Sequence, residues 1–150
     1  MNRILKLNTK IALLLFIVLD LLCVGMGMGV PIFCIFFGFL VGWYIARRAI
    51  VNTESQKEIL KRVLVSAIIT SLFTFMLMCF IWLPFGTKLF DPTTDFKNLG
   101  IPLILYDPKA SFIGWLVLMI FISPFLQLLT TIFASYLTML NWVDRTNDEM

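Results

Sequence analysis

The chain has 150 residues, of which 60% are hydrophobic and 14% are charged, and its mean hydropathy is +0.95. Soluble domains carry close to a quarter charged residues, so this composition excludes an ordinary soluble domain and indicates an integral membrane protein. The net charge of +3 says less than the positions of the basic residues, which cluster in a few segments. The sequence has no histidine, which removes the commonest general base, and its three cysteines include no C-x-x-C pair that would suggest a disulfide or metal framework.

The first predicted element is a helical hairpin within residues 11–46. Among these residues only Asp20 carries an acidic or basic side chain. A bilayer core about 30 Å thick is crossed by roughly 20 helical residues, so the stretch holds two spans and a short turn. Three glycines followed by a proline at residues 25–31 predict that turn, because glycine tolerates positive φ and proline ends helices. We therefore predict spans at residues 10–26 and 30–46, joined as a tight hairpin.

The third predicted span follows a hydrophilic segment, residues 47–62. Ser55 begins an S-x-x-E sequence in this segment, the pattern of a capping box whose side chains bond the free amides of a helix start. We therefore predict that the third helix begins near Ser55 and crosses the membrane over residues 62–83. Pro84 and Gly86 are expected to stop it.

Residues 86–110 are predicted to form a long extracytoplasmic loop. Two Asp-Pro steps and a Gly-Ile-Pro step rule out a continuous helix here. The apolar residues 101–106 are too few to span, so we expect them at the membrane interface or folded back onto the bundle. The last span, residues 111–140, would be about 45 Å long, which exceeds the membrane core and predicts a kink at Pro124.

The positions of the basic residues predict the orientation of the spans. Nine of them lie in the N-terminal segment, in residues 47–62 and in the C-terminal tail, which four spans place on one side. Only three lie in residues 86–110 on the other side. Cytoplasmic segments are enriched in Lys and Arg, so we expect both termini in the cytoplasm. The chain is thus predicted to be one all-α integral membrane domain, residues 1–150, with four transmembrane helices packed as a small bundle. We expect it in the cell membrane, as a multi-pass protein of a prokaryotic inner membrane.

Helix-packing positions are predicted on the second span. Gly38 and Gly42 form a G-x-x-x-G motif, which lets the backbone of a neighbouring helix approach closely. Small polar residues recur at the same four-residue interval on the other two long spans: Ser66, Thr70 and Thr74, and then Ser123, Gln127, Thr131 and Ser135. Two interpretations stay open. Either these stripes pack against one another, or part of them faces a hydrated cavity or a substrate.

Asp20 is the strongest candidate for a functional residue, because it lies near the middle of a span. A charged Asp there costs roughly 3 kcal/mol, and such residues are usually functional or paired. Counting from the span ends places Thr74 and Gln127 at the same depth, with Thr131 one turn from Gln127. No Lys or Arg lies at this depth. Asp20 is therefore a neutral acid bonded to Gln127 or a threonine, an ionised group beside water or a cation, or the partner of a basic residue on another protein.

The sequence carries no signature of catalysis, a cofactor or a metal. It lacks the G-x-S-x-G, H-E-x-x-H and glycine-rich phosphate-loop motifs. Its methionines and cysteines are of the type that ligates Cu(I), but none of their spacings is diagnostic. The basic residues within segment 47–62 are explained by the rule that cytoplasmic segments carry positive charge and by contact with anionic lipid. Binding of nucleic acid is therefore not expected.

We therefore predict a non-catalytic small subunit or accessory protein that packs against other membrane helices. Its expected partners are the lipid bilayer and either other membrane protein subunits or further copies of this chain. The alternative is a small homo-oligomeric transporter or channel with Asp20 lining the pathway. One chain with four spans encloses little space, so this alternative requires oligomerisation.

Overall fold

Every regular element of the described chain is a helix. The computed structural model describes residues 9–25, 31–52 and 56–148, and these include no strand. The helices are α1 (Thr9–Gly25), α2 (Pro31–Asn52), α3 (Gln56–Gly86), α4 (Pro108–Val117) and α5 (Ser123–Asp148), with a 3-10 turn at Thr87–Phe90 and a π-helical turn at Leu118–Ile122. The all-helical prediction is therefore confirmed for this part of the chain.

Three helical stretches are long and apolar enough to cross a membrane, judged by length and composition: Ile32–Asn52, Lys57–Phe90 and Pro108–Val143. The last of these joins α4, the π-helical turn and α5 into one continuous helix. α1 has 17 described residues, which make about 26 Å of helix, and it is not among these three stretches. The predicted glycine turn between α1 and α2 lies at residues 26–30, outside the described residues.

The second and third helices extend further than the sequence predicts. α2 continues past Ala46 to Asn52, whose side-chain amide donates to the Arg48 carbonyl oxygen at 2.8 Å. Of the two predicted stop residues, Gly86 ends α3, whereas Pro84 lies inside its last turn. Proline there cannot donate to the carbonyl group four residues earlier, and α3 ends two residues after it.

The fourth helix begins at Pro108, three residues before the predicted start of the last span. Asp107 is its N-cap and accepts a backbone amide of the first turn at 3.1 Å. Pro108 is favourable at this position, where its missing N–H has no intrahelical partner to lose. The irregularity near Pro124 is the π-helical turn at Leu118–Ile122, which directly precedes Ser123 and Pro124. A widened turn is one of the ways in which a helix accommodates an internal proline.

The loop before α4 folds back onto that helix. The Ser111 hydroxyl bridges the N–H and the carbonyl oxygen of Leu105 at 2.7 and 2.9 Å. Trp115 Nε1 donates to the Pro102 carbonyl oxygen at 2.8 Å. Of the two placements expected for residues 101–106, the structure therefore shows contact with the helix.

The helices differ in how closely they pack. α2 and α5 form the most extensive contact between helices, and α3 packs against both of them. Near the connection between α2 and α3, four residues form a buried apolar cluster: Ala46, Ala49, Ile59 and Val63. α1 contacts the other helices much less than they contact one another. The candidate polar residues are thus positioned by a three-helix core and by one loosely attached helix.

Candidate functional site

Asp20 and Thr74 are the two predicted site residues whose side chains the described chain joins by a hydrogen bond. Thr74 Oγ1 on α3 lies 2.9 Å from Asp20 Oδ2 on α1. Both side chains are buried, with Asp20 3% exposed and Thr74 fully covered. The residues are 54 positions apart in the sequence, so this single bond ties the first helix to the third.

The Thr74 hydroxyl has two neighbouring acceptors. Its Oγ1 lies 2.9 Å from Asp20 Oδ2 and 3.2 Å from the Thr70 carbonyl oxygen. A hydroxyl has one hydrogen, so it donates to one of these oxygens at a time. When it donates to Thr70, the contact with Asp20 requires a protonated carboxyl that donates to Thr74. When it donates to Asp20, the carboxyl accepts and can carry a charge. The pair therefore keeps a hydrogen bond in either protonation state of Asp20.

An aromatic cluster covers one side of this pair. Phe16 lies one helical turn before Asp20 on the same face of α1. Its ring stacks on Phe37 of α2 at 5.4 Å between centroids and meets Phe73 of α3 edge-on at 6.0 Å. Both geometries are favourable for aromatic rings. Phe16 and Asp20 together attach α1 to α2 and α3.

Gln127 and Thr131 lie on α5 and are not joined to the acid by a hydrogen bond. Both residues are fully buried. Neither the amide atoms of Gln127 nor the hydroxyl of Thr131 has a hydrogen-bond partner within the described residues. Buried polar atoms are usually paired, so these two side chains are exceptions. Of the two predicted partners of Asp20, a threonine or Gln127, the structure therefore shows the threonine, Thr74.

The glycine ridge of α2 lies against the backbone of α5. A Cβ added at Gly38 would come within 2.7 Å of the Gln127 carbonyl oxygen, and one added at Gly42 would collide with the Thr131 carbonyl oxygen. Backbone atoms cannot move aside as flexible side chains can, so only glycine fits at both positions. The Ser135 hydroxyl lies 2.9 Å from the Gly42 carbonyl oxygen and 2.8 Å from the Thr131 carbonyl oxygen, so it donates to one of these two oxygens at a time.

Sequence reasoning did not identify Ser71, which joins α3 to α5. Its hydroxyl donates to the Pro124 carbonyl oxygen at 2.8 Å, and both residues are buried. Ser71 lies beside the polar stripe of α3 and does not follow its four-residue interval. Pro124 was no signal for this contact, because the carbonyl group that a helical proline leaves without a donor is the one four residues earlier and not its own.

The acidic residues of the loop between α3 and α4 organise turns. Asp91 Oδ1 accepts the Thr93 N–H at 2.9 Å and the Thr93 hydroxyl at 2.7 Å. These donors hold the pKa of Asp91 below its usual range, because they favour the charged carboxylate. Asp95 forms a similar turn, in which its carboxylate accepts a hydrogen bond from the Asn98 side-chain amide at 2.7 Å. Within the described residues, no three His, Cys, Asp or Glu side chains converge as they would around a metal ion.

Comparison with known proteins assigns this chain to no family. The chain matches no protein-family model, and neither curated proteins nor solved structures give a match to it. The interpretation of the site therefore rests on its residues and geometry.

Proposed function

We propose that this protein is a non-catalytic, multi-pass membrane protein that acts as a small subunit or accessory protein by packing against other membrane helices. The observation that carries the proposal is the burial of the polar stripe on α5. Each of its four members is at most 1% exposed: Ser123, Gln127, Thr131 and Ser135. A pathway for a hydrated ion or a substrate needs accessible polar groups, whereas interhelical packing needs covered ones. Burial therefore supports the packing interpretation of the stripes.

The proposed placement has four spans, formed by α1, α2, α3 and the continuous helix from Pro108, with both termini in the cytoplasm. Its support is the apolar length of three helices and the nine-to-three division of basic residues between the two sides. Asn52 and Thr93 are both exposed, and they fall on opposite sides in this arrangement. The membrane is proposed to be a prokaryotic inner membrane.

Cysteines introduced at Asn52 and Thr93 test this placement. An impermeant thiol reagent applied to intact cells should label Thr93→Cys, whereas Asn52→Cys should be labelled only after the membrane is opened. The parent chain is the control for background labelling, because it has cysteines of its own. Of these, Cys34 is buried and Cys79 is half-buried. Labelling of position 52 and not position 93 in intact cells would reverse the orientation.

The outward face of α1 is the proposed contact with a partner helix. Leu14, Val18 and Leu22 lie on the opposite side of α1 from Phe16 and Asp20, and they are 61%, 45% and 56% exposed. The partner is a further copy of this chain or a different membrane subunit. Purified protein should therefore have a native mass in detergent above that of one chain, or carry a second polypeptide that mass spectrometry identifies. A lone monomer would count against both kinds of partner.

A homo-oligomeric transporter or channel with Asp20 on its pathway is the second candidate. The observation that favours it is the acid near the middle of the first proposed span, because such residues often mark proton or ion pathways. This candidate predicts a flux in proteoliposomes that depends on the carboxyl group of Asp20.

A further inference from the structure

A groove with a volume of about 880 Å³ runs between α1, α2 and α3. Most of its wall is apolar, and representative lining residues are Leu15 and Leu19 from α1, Leu40 and Val41 from α2, and Val65 and Ile69 from α3. The groove lies between residues 11–19 of α1, which Phe16 and Asp20 attach to the neighbouring helices, and the facing residues of α2 and α3. Its volume lies within the range of about 300–1,000 Å³ that is typical of ligand sites.

One end of this groove is charged. Arg48, Lys61 and Arg62 line it together with a single carboxylate, Glu58, so the end carries an excess of positive charge. Arg48 Nη1 also donates to the Tyr44 hydroxyl at 3.1 Å, which holds the guanidinium at this end. The apolar wall and the basic end together match a molecule with an anionic head and a hydrocarbon tail.

The length of the groove matches one leaflet of a bilayer. Its lining on α3 extends from Glu58 to Thr70, a rise of about 18 Å at 1.5 Å per residue. Half of a hydrocarbon core about 30 Å thick is about 15 Å, and the headgroup lies beyond it. The basic end lies beside the connection between α2 and α3, which the proposed placement puts in the cytoplasm. At the other end, Phe16 and Phe37 close the groove before Asp20.

We propose that this groove binds one anionic phospholipid of the cytoplasmic leaflet. An acyl chain lies along the apolar wall, and the phosphate is bound by Arg48, Lys61 and Arg62. The inference rests on the membrane placement given as part of the proposed function, and it adds a specific ligand site to it. Its basis is charge complementarity within a concave site, because a convex helix surface or a basic patch alone would hold lipid without selecting one molecule.

The direct test compares two lipids on the purified full-length protein in detergent. Phosphatidylglycerol and phosphatidylcholine with identical acyl chains are titrated separately, and native mass spectrometry counts the lipids that each protein retains. We expect one retained phosphatidylglycerol, a higher melting temperature with this lipid, and neither effect with phosphatidylcholine. Equal retention of both lipids would overturn the proposal. Sodium phosphate is the third arm, and stabilisation by phosphate equal to that by the lipid would show a site for a free anion instead.

The basic end is tested by the double variant Lys61→Gln/Arg62→Gln. Each basic residue near an anionic lipid surface contributes about a fivefold gain in binding, so the pair should lower the affinity for phosphatidylglycerol about 25-fold. The matched control is Lys97→Gln/Lys109→Gln, which removes the same charge from two exposed residues, one in the loop before α4 and one in the first turn of α4. An equal loss in both double variants would show an effect of net charge and would contradict a site at this end.

The apolar wall is tested by Val65→Trp, which fills the groove with an indole ring. Its control is Leu129→Trp on α5, since both residues are 47% exposed and Leu129 does not line the groove. Only Val65→Trp should lose the retained lipid while keeping the melting temperature of the lipid-free protein. If Val65→Trp still retains the lipid, the acyl chain lies elsewhere and the proposal is wrong. An integral protein with the proposed orientation that retains no anionic lipid would overturn this inference alone and leave the proposed function standing.

Discussion

The contact between α2 and α5 and the attachment of α1 differ in what holds the helices together. At the first, the backbones themselves meet, because Gly38 and Gly42 have no side chain to separate them from the carbonyl groups of α5. The Ser135 hydroxyl also lies within hydrogen-bond distance of the Gly42 carbonyl oxygen across this contact, at 2.9 Å. Close packing over a long interval lets many weak attractions act at once.

α1 is held in a different manner. Large side chains such as Phe16 and Leu19 face its neighbours, so its backbone stays away from theirs. Its described attachments are the bond between Asp20 and Thr74 and the rings around Phe16. In a bilayer, apolar side chains gain little from one another, since lipid tails are as apolar as leucine. α2, α3 and α5 therefore form the closely packed unit, and we expect α1 to separate from it at a lower free-energy cost than these helices separate from one another.

The largest expected effect is loss of the α2–α5 contact by substitution of its glycines. Gly42→Leu places a branched side chain against the Thr131 carbonyl group and should push the helices apart. Overpacking of this kind costs about 3 kcal/mol at the upper end of measured values, or about 10 °C in melting temperature for a chain of this length. Thermal unfolding in detergent measures the effect, and Gly38→Leu should behave in the same way.

Gly114→Leu is the matched control, because a Cβ at Gly114 has no atom within 4 Å. It adds the same side chain to a helix without creating a collision. Should Gly38→Leu and Gly42→Leu both melt like the parent protein, the close contact between α2 and α5 would be absent in the membrane.

The next largest effect should be confined to α1. Phe16→Ala removes two ring contacts, each of which contributes about 0.5–1.5 kcal/mol. We expect faster hydrogen exchange of the amides in α1 and unchanged exchange in α2 and α5, as measured by mass spectrometry on peptides. The control is Leu129→Ala on α5, since Leu129 is 47% exposed and takes no part in these ring contacts. Equal acceleration of exchange in all helices would show that α1 and the core unfold together, which contradicts the comparison.

Local patterns in the sequence explain how much of this arrangement was predictable. A four-residue interval shows which residues share a helix face, because that depends on helix geometry alone. It does not show which helix they face. Gly38 and Gly42 therefore identified a contact surface, but its partner on α5 came from the structure. Helix ends were predicted less well, because an Asp-Pro step occurs both in loops and at helix starts. Asp107 and Pro108 were assigned to the loop, whereas in the structure they begin α4.

The partner of Asp20 was predictable only in part. Depth in the membrane limited it to Gln127 or a threonine, and the structure pairs it with Thr74. Depth does not fix the rotation of a helix about its own axis, and this rotation determines which of several residues at one level meet. The groove between α1, α2 and α3 could not be predicted for a related reason, since it depends on the distance between helices.

A smaller effect is expected at the bond between Ser71 and the Pro124 carbonyl oxygen. Ser71→Ala removes this interhelical bond, and such bonds in membrane proteins contribute about 0.6 kcal/mol on average. The control is Thr138→Ala, whose hydroxyl donates within its own helix to the Ala134 carbonyl oxygen at 2.8 Å. The melting temperature should fall more for Ser71→Ala than for Thr138→Ala. An equal fall would mean that the bond across the helices adds nothing beyond local bonding.

The smallest effect on stability is expected for Asp20→Asn, although this variant separates the two candidate functions most clearly. Asparagine can donate to the Thr74 hydroxyl, which then donates to the Thr70 carbonyl oxygen at 3.2 Å, so every hydrogen bond of the pair has a counterpart. The free energy of unfolding should therefore change by no more than the contribution of one interhelical bond, about 0.6 kcal/mol, and the melting temperature should stay close to that of the parent protein. Asp20→Leu is the second variant, and it should also fold, because Thr74 keeps the Thr70 carbonyl oxygen as an acceptor.

Flux measurements in proteoliposomes test whether the carboxyl group of Asp20 has a role in packing or in transport. A packing role needs a hydrogen bond and no change of charge, so neither the parent protein nor Asp20→Asn should pass protons or common cations. A transport role needs a group that holds or releases a proton or a cation, and asparagine can do neither. A parent flux that disappears in a stable Asp20→Asn protein would therefore contradict the packing proposal and establish the transport alternative. We expect no flux in either protein and equal stability of both, because the acid is buried and its carboxyl group is hydrogen-bonded to Thr74.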